Sequence, residues 1–146
     1  MIALLTVTFG ILGVTEATWC KGFPDALNKQ IGAFEERHRR WNLQASCDLI
    51  EQAAFLALNI IQKKPLNVRG HVCSYTTRRH DVFDATDAFY PSHMFTDLPW
   101  DKIEKTAKLH QPTTYGCAFL HQKGFLSTYW SSVCLYKKKT GIWNCE

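Results

Sequence analysis

Six cysteines and six histidines are the residues of this 146-residue chain whose types could carry chemistry. The cysteines stand at Cys20, Cys47, Cys73, Cys117, Cys134 and Cys145. No two of them form a C-x2–4-C pair, so the ligand spacing of a structural zinc site is missing. An even count in a chain of this size, behind an apolar leader, reads instead as three disulfides, with fifteen connectivities open. The histidines offer no H-E-x-x-H run, and no G-x-S-x-G elbow accompanies them. General acid–base chemistry would need the fold to bring two of them together, His71 with His110 or His121. A secreted histidine-dependent hydrolase or nuclease is therefore the alternative to a non-catalytic protein.

The N-terminal MIALLTVTFGILGVTEA is an apolar run closing on small residues, Thr15 and Ala17, as signal peptides do. Cleavage is expected after residue 17, leaving a single domain over 18–146 and a secreted, extracellular location. No later stretch reaches the ~18 apolar residues that a bilayer-spanning helix needs. Removing the leader takes away one acidic residue, Glu16, so 17 basic residues face 12 acidic ones. The excess is mild and scattered through Arg37–Arg40, Arg78–His80 and Lys137–Lys139, not gathered on one face as a nucleic-acid reader requires. No nucleic-acid partner and no cofactor is expected.

The elements that must hold these residues follow from periodicity. Phe23 to Trp41 is expected to be a helix, with Asp25 as its cap and Leu27, Ile31, Phe34, His38 and Trp41 on one stripe. His38 reads as a packed helix residue, not a catalyst. Asp48-Leu49-Ile50-Glu51 has capping-box spacing ahead of QAAFLALNII, which is apolar almost all round and so predicts a central buried helix ending at Lys63-Lys64-Pro65. Gly70 to Thr77 predicts a strand. Asp97 and Pro99 open a third helix carrying Trp100, Ile103 and Ala107. Thr114–His121 and Tyr129–Lys137 predict an antiparallel hairpin around Gln122-Lys123-Gly124, with a short last strand at Ile142–Cys145. The class is α+β.

SCDLIEQAAFLAL, WDKIE, YGCAF and SVCLY occur in that order behind a leading Cys20. This arrangement resembles the CAP superfamily of cysteine-rich secretory, antigen-5 and pathogenesis-related proteins, shortened and divergent. Within it, the nearest likeness is to the activation-associated secreted proteins of parasitic nematodes. The likeness covers most of residues 20–137, whereas residues 78–99 match none of its motifs. It implies a CAP-like α-β-α sandwich with a small antiparallel sheet and three disulfides, paired Cys117–Cys134, Cys20–Cys47 and, for the two cysteines left, Cys73–Cys145.

The family often carries two histidines and two acidic residues in a cleft able to hold a divalent metal. The GHxTQ and GEN motifs that supply them are missing here, and KKKTGIWN replaces the hallmark PxGN. His71 and Glu104 are the nearest remnants of that cleft. The resemblance with an emptied cleft implies no catalytic residues, no metal, and a scaffold that binds an extracellular partner, a host protein if the source is a parasite. Trp130, Trp143 and Lys137, Lys138 and Lys139 are the candidate interface, since aromatic and cationic side chains are frequent at such surfaces. Some members of the family carry sterols or fatty acids, so a lipid carrier is a further alternative.

Overall fold

The computed structural model describes residues 19–65, 72–81, 98–123 and 128–138, for some of which, including most of 72–81, the backbone alone is described. The leader, His71, Asp97, Lys139, Trp143, Cys145 and the expected strand Ile142–Cys145 lie outside the described residues, as does the hairpin turn from Gly124. The elements run α1 (Asp25–His38), a 3-10 turn (Arg39–Trp41), β1 (Gln44–Ala45), α2 (Cys47–Ile61), β2 (Val72–Asp81), α3 (Trp100–His110), β3 (Thr114–Lys123) and β4 (Thr128–Lys137). The α+β class holds. No helix among the described residues is long and apolar enough to cross a membrane.

The four strands form one sheet in the order β1-β3-β4-β2. β3 and β4 are antiparallel with Cys117 opposite Cys134, and β2 runs antiparallel on the far side of β4 with Thr76 opposite Val133. β1 adds two parallel residues to the outer edge of β3. Because side chains alternate along a strand, each face of the hairpin is a distinct set. Ala118, Val133 and Leu135 meet Leu49, Ala53, Leu56 and Ala57 of α2. Tyr115, Cys117, Phe119, Cys134 and Tyr136 point the other way and pack with Phe34 of α1 and Ile103 of α3. The sheet thus carries helix on both faces.

Two expected caps are displaced. Asp25 is the first residue of α1, not its cap; Pro24 takes the cap position, and Asp25 sits in the first turn, where its charge complements the helix dipole. Ser46, not Asp48, caps α2: its extended backbone lets its Oγ accept from Leu49 N at 3.4 Å. Nor is α2 buried all round. Leu49, Ile50, Ala53, Leu56 and Ala57 are buried, yet Phe55 is 64% and Leu58 38% exposed. A helix laid on one face of a sheet covers only one side of itself, and apolar residues on its back stay in water.

β1 pairs with only two residues of the β3 edge, and α1 reaches that edge further along, at Phe119. Gln30 acts as a surrogate strand there: its Nε2 donates to Phe119 O at 2.7 Å and its Oε1 accepts from Phe119 N at 3.0 Å. This satisfies a ladder donor and acceptor that an open edge would offer to another chain. Gln30→Ala is expected to cost about 1–2 kcal/mol, because two backbone groups lose partners at a partly buried position. Chemical denaturation checks the loss, and light scattering should show more self-association than in the parent.

Candidate functional site

α1 ends at the place where its stripe crosses the hairpin, and His38 is the residue delivered there. It is fully buried and stacks on Tyr115 with ring centroids 3.8 Å apart and planes 8° from parallel. Trp41 and Trp100 meet it edge-on at 5.5 and 5.7 Å. Its Nδ1 lies 2.7 Å from Phe34 O and its Nε2 lies 2.6 Å from Tyr136 Oη. A backbone carbonyl only accepts, so the proton is on Nδ1 and Tyr136 donates its hydroxyl hydrogen to Nε2. Both ring nitrogens are engaged.

The electrostatics follow from this enclosure. Burial lowers the His38 pKa from the usual 6.5 to about 4, with the hydrogen bond to Phe34 opposing the shift and the Arg40 charge adding to it. The ring is therefore neutral at physiological pH. Burial, assisted by the Glu35 carboxylate, raises the Tyr115 phenol well above its ordinary range, so it keeps its proton. Its hydroxyl is buried with no hydrogen-bond partner among the described residues.

The Sγ of Cys117 lies 3.9 Å from His38 Nε2. Among the described residues, His38, Cys117 and Cys134 are the group of three side chains close enough to hold a metal. Cys117 and Cys134 are bonded to each other, with Cα atoms 4.1 Å apart, so neither sulfur is a thiolate able to ligate or attack. Closing that 17-residue separation contributes roughly 3 kcal/mol in the chain-entropy account. Cys20–Cys47 is the second disulfide, tying the start of the described chain to the first residue of α2. Asn28 holds Cys20 in place, accepting from its N at 2.9 Å and donating to its O at 3.2 Å. These two pairs are the ones the family resemblance implied; of the third, Cys73–Cys145, Cys73 is described in backbone alone and Cys145 lies outside the described residues.

The other nominated residues fall in different places. Trp130 is 1% exposed within the apolar cluster on the α1/α3 face of the sheet, so it does not belong to an exposed interface. Strand alternation accounts for this correction: Trp130 is four residues from Cys134 and shares its inward face. Lys137 is exposed, and Lys138 is partly buried. Glu104 is a partly exposed residue of α3 that pairs with Lys108 at 3.3 Å, an i,i+4 surface pair worth a few tenths of a kcal/mol.

Lys137 does line a groove. Ser46, Asp48, Glu51, Gln52, Phe55 and Lys137 enclose about 610 Å3 between the first turns of α2 and the end of β4. Apolar Phe55 stands there beside two carboxylates and one ammonium, on a helix fixed by the Ser46 cap and the Cys20–Cys47 bond. The apolar pattern of α2 concealed this groove in the sequence, because a continuous apolar run does not say which residues the sheet covers. The Tyr115/Tyr136 cage was also missed, although each tyrosine stands two residues from a hairpin cysteine and so must share its face. Comparisons with protein-family models, with curated proteins and with solved structures found no match.

Proposed function

We propose that the chain is a secreted, non-catalytic, disulfide-stabilised protein of CAP-like descent that binds an extracellular protein partner through the α2 groove. Helices on both faces of a small sheet, and two disulfides at the implied positions, support the descent. A neutral His38 with both nitrogens engaged supports a structural role for the buried centre over acid–base turnover.

The observation that carries the binding role is Phe55, 64% exposed on a stapled helix beside Asp48, Glu51 and Lys137. A large aromatic flanked by charges of both signs is the composition of an interface centre with a polar rim. The scaffold is ordered before binding, so little conformational entropy is lost when a partner docks. Immobilised full-length protein should retain a saturable partner from extracellular fluid of the source, or of its host, under non-reducing conditions. Phe55→Asp should lower the affinity about thirtyfold, near 2 kcal/mol, without changing the denaturation midpoint. Failure to capture any saturable partner, or equal capture by the variant, would overturn the assignment.

A further inference from the structure

A second concavity lies where the C-terminal ends of two helical segments approach the start of the hairpin. Trp41, Asn42, Gln44, Gln111, Pro112 and Thr113 line about 460 Å3 there, together with one alanine, and no titratable side chain contributes. Asn42 ends the 3-10 turn and Gln111 ends α3. Both hold left-handed backbone, at φ 56 and φ 46. Gln44 belongs to the short strand β1, and its N donates to Thr113 O at 3.2 Å. The two walls are thereby joined across the concavity.

The carboxamides of Asn42, Gln44 and Gln111 are exposed and make no hydrogen bond with other described residues. Each offers two donors and an acceptor, and the Thr113 hydroxyl, which donates to Lys137 O at 3.5 Å, adds an acceptor. Trp41 supplies an apolar wall, with Arg40 4.5 Å from its ring centre and Trp100 stacked at 6.4 Å. The left-handed backbone at the two corners is that of helix C-caps, the N of Asn42 donating to Arg39 O and the N of Gln111 to Ala107 O.

We propose that this concavity binds a neutral oligosaccharide. A charged ligand would find no counter-charge in the lining, and an apolar ligand would strand three carboxamides. A sugar presents vicinal hydroxyls, each both donor and acceptor, which match a carboxamide's paired groups. Its C–H face is apolar and suits the wall made by Trp41 and Pro112. This site is separate from the α2 groove and shares none of its lining residues.

The test is a two-dimensional NMR titration of the isotopically labelled full chain with cellohexaose, chitohexaose and mannohexaose. A heparin-derived hexasaccharide is the charged comparator. At least one neutral sugar should give saturable shifts centred on residues 41–44 and 111–113, unchanged in about 0.5 M salt because no ion pair is involved. Asn42→Gly/Gln111→Gly removes two carboxamides while giving glycine to two left-handed positions, so the fold is retained and the affinity should fall at least about tenfold. No saturable shift with any neutral sugar at about 10 mM would overturn the proposal. So would full binding by the double glycine variant, or binding of the heparin fragment alone that salt abolishes. None of these outcomes bears on capture at Phe55.

Discussion

Gly116→Ala is expected to destabilise the protein by about 3 kcal/mol or more, and to leave little native chain at physiological temperature. Gly116 is in β3, on the face that α2 covers, with ordinary strand backbone. A methyl group there would come closer than 3.0 Å to Ile50 N, Leu49 C and Leu49 Cβ. Two of those atoms belong to the α2 backbone, which cannot rotate away as a side chain does. The helix would have to lift from the sheet, opening the contacts of Leu49, Ala53, Leu56 and Ala57 with Ala118, Val133 and Leu135. The Cys20–Cys47 bond and the Ser46 cap resist that movement at the same end of the helix. Urea denaturation of the purified variant measures the loss. A midpoint within experimental error of the parent's would show that α2 does not sit against Gly116 as described.

Acid should unfold the protein partly through His38. Its folded pKa is about 4, below the ordinary 6.5, so between these values the unfolded chain binds the extra proton. Stability contributed by the neutral ring is thus complete above pH 6.5 and declines as pH falls toward 4. The full decline amounts to roughly 3 kcal/mol, which is a large part of a small domain's stability. Carboxylates titrate in part of the same window, so the comparison with His38→Gln isolates the histidine. That variant should start less stable at pH 7, having lost the cage packing and the Tyr136 bond, but its stability should fall less between pH 6.5 and 4. Parallel stability–pH curves for parent and variant would contradict a buried neutral His38.

The legible parts of the fold were those written in local periodicity. The stripe Ile31, Phe34, His38 has helical spacing, and YGCAF and SVCLY alternate as strands with a cysteine at matched positions, so α1 and the β3–β4 hairpin could be anticipated. The helix starts were less legible because an acidic residue in a first turn and one at a cap produce the same sequence signal. Ser46 lies only two residues before Asp48, and the choice between them is made by backbone dihedrals. The sites were the least legible. Whether Phe55 or Leu56 is covered depends on how α2 is turned about its axis, which the sheet decides. The seven residues lining the second concavity, Trp41 among them, come from two chain regions, 41–44 and 107–113, that the parallel pairing of β1 with β3 brings together. Trp130 shows the opposite case. Its aromatic type suggests an interface, whereas its parity with Cys134 places it inside.

The central claim is that this chain works by binding at the α2 groove and that the His38 centre is there to hold the fold. The most direct measurement is a binding isotherm for the captured partner, taken at pH 7.4 on three folded proteins: the parent, Phe55→Asp and His38→Gln. The expected result is that Phe55→Asp loses about thirtyfold in affinity while His38→Gln, once shown to be folded, binds within about twofold of the parent. The contradictory result is the reverse order, with binding lost at His38 and kept at Phe55, which would move function from the groove to the buried centre.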